Sequence, residues 1–274
     1  MSAPPASVHV PFTASSFQDA DAYEQLMGRW SRRLAPALIR FGGLGDGDRV
    51  LDVGCGTGSL TFALPEHANV ASVTGIDLTE PFLAAARARN MDARIVFDQG
   101  DALALPYADA AFDRAYSMLV LHFIPDAARA VAEMRRVVRP GGTVTAAVWD
   151  NYGGQMFTRM LWDIAGVLDP SLVRPYFRPL NGPDEMAAVW RDLGFRDVEQ
   201  ISLLTRMEFS CFDDYWAPFA SGEGPHGQYV AKLTEPARAT LKQHVQRAYV
   251  ANRPDGSRSM AAVAWACRGT VPGQ

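Results

Sequence analysis

A glycine-rich turn set between a buried strand and a helix constrains this chain more than any other feature. Arg49-Val-Leu-Asp-Val53 is a short β-rich run, Gly54-Cys-Gly56-Thr-Gly58 punctuates it, and Thr57 to about Glu66 reads as a helix. Glycines at 54, 56 and 58 let the backbone turn tightly and approach a ligand more closely than any Cβ allows. The helix that follows offers unpaired N–H groups to an anionic or polar group. Strand, turn and helix in that order supply the context such a motif needs. Two ligand classes compete for it. A dinucleotide fingerprint calls for glycine or alanine at the sixth place, and counting from Gly54 that place falls on Ser59. The extra glycine at 58 and the acidic Asp52 at the strand end are further departures.

The rest of the chain repeats the pattern. Val70–Asp77, Arg94–Asp98, Phe112–Met118 and Thr143–Trp149 read as strands, and helices are expected from Thr79 to about Asn90 and over Ala127–Val138. Thr79 precedes an acidic, proline-bearing first turn, and Pro140-Gly-Gly stops the second helix. Each unit spans roughly two dozen residues, as a right-handed crossover in a parallel sheet needs. After Asp150 the rhythm breaks. Residues 151–182 and 208–257 read as insertions with helices, flanking a helix from Gly182-Pro-Asp184 to Leu193-Gly-Phe195 and a strand over Val198–Met207. Ser259–Cys267 is a final strand, antiparallel to its neighbour because it follows so closely on the polar turn Pro254-Asp-Gly256. The expectation is one domain over residues 21–270, its core at 48–150, behind a disordered leader of residues 1–20.

Composition narrows the partners. The net charge is −4, and the densest basic stretches, Arg29/Arg32/Arg33 and Arg135/Arg136/Arg139, sit at helical spacing that suits solvated faces better than nucleic acid. Three widely spaced cysteines, Cys55, Cys211 and Cys267, argue against a disulfide framework and for a reducing, cytoplasmic setting. No window carries the uninterrupted apolar run of a membrane span, and no spacing of histidine, cysteine or carboxylate suits a metal.

Val50-Leu-Asp-Val-Gly-Cys-Gly-Thr-Gly58 resembles the first motif of class I S-adenosylmethionine-dependent methyltransferases. Gly75-Ile-Asp77 resembles the family's acidic residue ending strand two, and Gly100-Asp101-Ala102 with Leu105-Pro106 its adenine-contacting segment. Phe112-Asp113 with Ser117 resembles strand four, and Val138-Arg-Pro-Gly-Gly142 the turn before strand five. Upstream, Tyr23-Glu-Gln-Leu-Met-Gly-Arg-Trp30 resembles the leading helix of a bacterial subset of these enzymes, where such residues lie over the methionine end of the cofactor. The resemblance implies a doubly wound, Rossmann-like α/β sheet of seven strands, the last antiparallel, with helical additions capping the cleft. It implies S-adenosylmethionine as cofactor and methyl transfer to oxygen, nitrogen or carbon of a small molecule.

The cofactor's needs then assign residues. Asp77 can accept both ribose hydroxyls, with Leu78 beside it, or cap the following helix. Asp101 and the Ala102 N–H suit the adenine edge. Asp52 would sit beneath the loop, the main chain at Ser117 would meet the methionine amino group, and Tyr23, Arg29 and Trp30 would cover that end. The transferred methyl is already activated, so the protein chiefly aligns the reactants and excludes water, with a base needed only for a protonated acceptor. His122, just past strand four, is the leading candidate for that base or closes its loop structurally, and His226 is the second. Tyr152, Met156, Trp162, Tyr176, Phe177, Tyr215, Trp216 and Phe219 in the insertions read as lid core, or as an apolar acceptor pocket formed with Trp149. Two other classes stay open: a nicotinamide-dependent oxidoreductase, against which Asp101-Ala102 speaks, and a protein that binds the cofactor without catalysing a reaction.

Overall fold

The structure, a computed structural model, describes residues 24–174, 179–222 and 224–273. The expected leader at 1–20 and the candidates Tyr23, Tyr176 and Phe177 lie outside the described residues. A short π-helical turn, Glu24–Gly28, leads into helix α1, Arg29–Gly42. The sheet begins with β1, Arg49–Val53, and β2, Ser72–Asp77. Helix α2, Glu80–Arg89, leads to β3, Ile95–Gln99, and then β4, Phe112–Met118. Helix α3, Ala127–Val137, precedes β5, Val138–Trp149.

Seven strands form one sheet in the order β3-β2-β1-β4-β5-β7-β6, with β6 at Arg196–Phe209 and β7 at Arg258–Thr270. The pairs β1–β2, β2–β3, β1–β4 and β4–β5 are parallel, whereas β7 runs against both β5 and β6. Val53, Asp77, Met118 and Trp149 therefore end their strands at one edge of the sheet. That edge is where a doubly wound sheet opens a crevice for ligands. The inner strands are covered on both faces, since successive residues are buried at Val50–Val53, Val73–Ile76 and Ala115–Met118.

Two local expectations change. The helix read from Thr57 starts late: the chain passes through irregular turns to Ala63 before one short helix at Leu64–His67. Gly58 sits at a φ of +89°, outside helical space, and the Thr61 hydroxyl bonds Asp52 instead of pointing to solvent. Strand five starts earlier than expected, at Val138, and carries Pro140-Gly-Gly within it across a register shift opposite Phe112 and Arg114.

The insertions form a lid. Helix α4, Met156–Leu168, follows β5; α5, Glu185–Asp192, precedes β6; and α6, Phe212–Ala220, α7, Gly224–Lys232, and α8, Glu235–Val250, separate β6 from β7. Phe157 of α4 joins the aromatic cluster, with ring centroids 4.8 Å from Phe219, 5.4 Å from Phe209 and 5.5 Å from Tyr215. The Tyr215 hydroxyl donates to the Phe157 carbonyl at 2.8 Å. Trp30 of α1 joins edge-on to Phe209 at 5.3 Å, so α1, the lid and the end of β6 share one apolar mass.

Candidate active site

The glycine turn is fastened to β2 before any ligand arrives. The N–H groups of Gly54 and Cys55 both donate to the Ile76 carbonyl, at 2.8 and 3.1 Å. Gly56 N–H donates to Asp77 Oδ2 at 2.9 Å, and Thr79 N–H donates to Asp77 Oδ1 at 2.8 Å. Asp77 thus holds the glycine turn and the turn that leads into the next helix at once, and each oxygen keeps a lone pair for another donor. Burial raises its carboxyl above the ordinary carboxylate range, against the lowering effect of its bonds from Thr79 and Gly56.

The three glycines do different work. A Cβ on Gly54 would stand 2.5 Å from the Val120 side chain, and one on Gly58 the same distance from the Phe62 ring. Close approach at these two is by the protein's own side chains, not by a ligand. At Gly56, with φ +54°, a Cβ would meet nothing nearer than Phe82 at 4.0 Å, so this residue gives the turn its open face.

Asp52 lies beneath the turn, 1% exposed, accepting the Thr61 hydroxyl at 2.6 Å. Loss of water around it pushes its pKa up to about 7; the Thr61 bond opposes this and the nearby Asp77 charge adds to it. Burial likewise pushes the Cys55 thiol up, which suits an apolar filler and not a nucleophile.

One cleft runs along the strand ends. Gly54, Gly56, Asp77, Thr79 and Phe82 line it over β1 and β2; Leu119, Val120, His122, Phe123 and Ile124 line it past β4; Trp149, Asn151, Gln155 and Thr158 line it past β5, with His226 from α7 and Met27 from the leading turn. At about 4.8 Å per strand, its two ends lie roughly 14 Å apart. The wall past β5 is held by Asn181. Its Nδ2 donates to the Trp149 carbonyl at 2.5 Å, and its Oδ1 accepts from Asn151 N–H at 2.8 Å.

Of the residues singled out in the sequence, Gly54, Gly56, Asp77, His122, His226 and Trp149 meet in this cleft. Asp52 lies behind it, in a small space shared with Gly54, Cys55 and Met118. Ser117 is inside β4, paired with Ala146, and the chain reaches the cleft two residues later, where Leu119 takes a φ of +67°. Arg29 and Trp30 are turned to the lid: Arg29 pairs with Asp214 at 2.9 Å and stacks over Trp30 and Phe209. Asp101 is exposed, its Oδ1 accepting from Leu103 N–H at 2.9 Å, and neither it nor Ala102 is among the described residues lining the cleft. Leu78 is 60% exposed beside Asp77. The insertion aromatics divide as core and surface: Trp162, Tyr215, Trp216 and Phe219 are buried in the lid, and Tyr152 and Met156 are exposed.

Sequence reasoning missed Gln155, Thr158 and Asn151 as lining residues, because no motif marks them; they reach the cleft from the turn after β5 and the first turn of α4. Glu24 was also missed. Its carboxylate accepts from the Thr57 hydroxyl and pairs with Arg32, tying the leading turn to the glycine loop. The basic stretches are internally paired: Arg33 with Glu208, Arg136 with Glu133 and Asp109, and Arg139 with Asp113. Among the described residues no cluster suits a metal ion and no helix is long and apolar enough to cross a membrane.

A family profile described as "Methyltransferase domain" matches residues 51–146. Demethylmenaquinone methyltransferase of Roseiflexus castenholzii is 31% identical over 163 residues, 55% of this chain and 68% of the relative. 27-O-demethylrifamycin SV methyltransferase of Amycolatopsis mediterranei is 39% identical over 123 residues, 43% of each. Phosphoethanolamine N-methyltransferase 2 of Haemonchus contortus, solved in complex with S-adenosyl-L-methionine, shares the fold at a TM-score of 0.56 and 19% identity, over 93% of this chain and 57% of that one. The chain belongs to the class I S-adenosylmethionine-dependent methyltransferases. It spans about half the length of the curated relatives it matches.

Proposed function

We propose that this protein transfers a methyl group from S-adenosylmethionine to an oxygen, nitrogen or carbon of a small molecule, within one domain capped by its two insertions. One observation carries the reading: a single cleft joins the open face of Gly56 and the buried Asp77 carboxylate to a separate wall of Trp149, Asn151, Gln155 and His226. Two reactants can lie end to end in such a space.

The residues present suit the cofactor. Asp77, fixed by two backbone donors, has lone pairs left for ribose hydroxyls. Gly56 leaves room for a ligand against the turn, with the Phe82 ring opposite. Asp52, behind the turn, would hold or orient the cofactor's ammonium end, with the chain at Leu119 nearby. Asp101, Ala102 and Leu78 would meet the adenine at the outer end, Tyr23 would cover the methionine end, and Arg29 and Trp30, held by lid residues, would reach that end only through a movement of α1. When bound, the cofactor supplies an electrophilic methyl on a sulfonium, so no metal or covalent nucleophile is required. The protein's part is alignment and exclusion of water, which the lid over β4 and β5 provides. His122, 7% exposed at the cleft wall, would take the proton of a protonated acceptor at a ring nitrogen, and His226 is its counterpart on the lid. The internally paired arginines favour a small molecule over nucleic acid, and three free cysteines suit a cytoplasmic setting.

Calorimetric titration with S-adenosylmethionine, S-adenosylhomocysteine and NAD tests this. Micromolar binding of the first two, lost in Asp77→Ala, is expected. Binding of NAD alone, or of none of the three, would overturn it.

A further inference from the structure

Gln155 stands immediately before α4, where serine, threonine, aspartate or asparagine ordinarily caps a helix, yet its side chain makes no capping bond. It is turned inward instead, 3% exposed, on the wall of the cleft past β5. Its main chain is pinned to the sheet. Gln155 bridges Ala262 of β7, Val263 N–H donates to the Gly154 carbonyl at 2.8 Å, and Asp150 N–H donates to the Val263 carbonyl at 2.9 Å. A Cβ on Gly154 would stand 2.8 Å from the Val263 side chain, so glycine is what lets this turn lie so close to β7.

The amide is held as well. The Thr158 hydroxyl, within the first turn of α4, donates to Gln155 Oε1 at 3.1 Å. Gln155 Nε2, with two hydrogens to donate, meets no acceptor among the described residues. Trp149 Nε1 and Asn151 Nδ2 are unpaired too, but both are sealed inside the protein; Gln155 Nε2 is not among the sealed atoms and opens on the cleft. An amide bonded at its oxygen and unbonded at its nitrogen opposes folding, a cost that an apolar side chain of the same length would avoid. An oxygen brought by a ligand removes that cost.

The ionisable side chains on the described lining are Asp77, at the far end over β2, and His122 and His226. An imidazole can face a neutral oxygen or an oxyanion, so the amide selects for an oxygen and not for its charge. Around these groups the surface is apolar, with Phe123, Ile124 and Trp149.

We infer that Gln155 sets the specificity of the acceptor end: its Nε2–H donates to a carbonyl, phenolic or enolic oxygen carried by an otherwise apolar methyl acceptor. The inference rests on the cleft being the methyl-transfer site. It goes beyond that reading by naming the group an acceptor must present and the residue that selects it.

The test uses the full chain saturated with S-adenosylhomocysteine and two probes of one shape, 2-acetylnaphthalene and 2-isopropenylnaphthalene, which differ by an oxygen against a methylene. Titration is expected to show the ketone binding about three- to tenfold more tightly than the alkene, the range of one hydrogen bond. Gln155→Met keeps the length and removes the amide. It should bring the ketone down to the affinity of the alkene and leave S-adenosylhomocysteine affinity within about twofold. In urea unfolding it should be as stable as wild type or more so, because the donor it removes is unpaired and the Thr158 hydroxyl still has the main-chain carbonyl of Gln155 at 3.3 Å. Gln155→Glu, which sets an acceptor where the donor was, should bind the ketone less tightly than the alkene. In nitrogen–proton correlation spectra, the side-chain amide pair that vanishes in Gln155→Met should move further downfield with the ketone than with the alkene. Equal binding of the two probes by wild type, or binding of neither, would overturn the inference. So would a ketone preference that survives in Gln155→Met, or a loss of stability in that variant, which would make the amide part of the packing alone. Failure of the wild-type chain to bind S-adenosylhomocysteine is a separate result: it removes the methyl-transfer reading and the inference with it.

Discussion

Asp52→Asn should stabilise the protein more at pH 8 than at pH 5. The wild-type carboxyl is fully buried, and its pKa rises from 3.8 to about 7 on folding. A carboxyl raised in this way binds a proton more tightly folded than unfolded, so folding is penalised as pH rises. The penalty is absent below pH 4, grows between about 4 and 7, and is complete above 7. At about 1.4 kcal/mol per pH unit, it is on the order of 2 kcal/mol at pH 5 and 4 kcal/mol at pH 8. Asparagine carries no such penalty and can still accept the Thr61 hydroxyl, so the advantage of the variant should grow by about 2–3 kcal/mol between the two pH values. The neighbouring Asp77 changes this little, because it is present in both proteins and its coulombic effect on Asp52 ranks below burial and the Thr61 side-chain bond. Urea unfolding followed by tryptophan fluorescence at pH 5 and pH 8 measures the difference directly. A gap between variant and wild type that is the same at both pH values would refute the reasoning, since Asp52 would then titrate alike folded and unfolded.

Further outcomes follow from the same geometry. Asp77→Ala should raise the Kd for S-adenosylmethionine about ten- to 150-fold, the range of a hydrogen bond to a charged group, as read by calorimetry. His122→Ala should leave cofactor affinity within twofold and, with an acceptor in hand, lower turnover by about 10²–10⁴; turnover unchanged across pH would discard the proton-handling role. Phe157→Ala, within the aromatic cluster of the lid and fully buried, should cost about 3–5 kcal/mol in urea unfolding, and a much smaller loss would mean that the lid is not packed on the sheet as described.

Much of this was legible in the sequence, for physical reasons that also explain the gaps. Phe112–Met118 and Arg49–Val53 were read to the residue, because each is a short run with apolar residues at most of its buried positions, bounded by turn residues. Gly54, Gly56 and Asp77 were legible because backbone geometry demands those residue types locally. The delayed helix after Gly58 was not, since it depends on a bond from Thr61 back to Asp52, nine residues earlier. Asn151, Gln155 and Thr158 were invisible for a different reason: they join the cleft by tertiary placement, and polar residues in an insertion carry no pattern of their own. Arg29 and Trp30 were assigned to the cofactor end, but the lid partners that hold them, Asp214 and Phe209, lie nearly 200 residues away in the chain.

The two backbone donors on Asp77 have a consequence for selectivity among nucleosides. A carboxylate that depended wholly on a ligand's hydroxyls would be stranded when one is missing, and the site would reject deoxy analogues by several kcal/mol. Here Gly56 and Thr79 keep both oxygens satisfied with no ligand at all. On the proposed reading, a 2′-deoxy form of S-adenosylhomocysteine forfeits only the net value of one hydrogen bond, about 0.5–1.5 kcal/mol, or up to about 3 kcal/mol if the charge counts in full. The protein should therefore tolerate ribose-modified cofactor analogues that a less self-contained site would exclude.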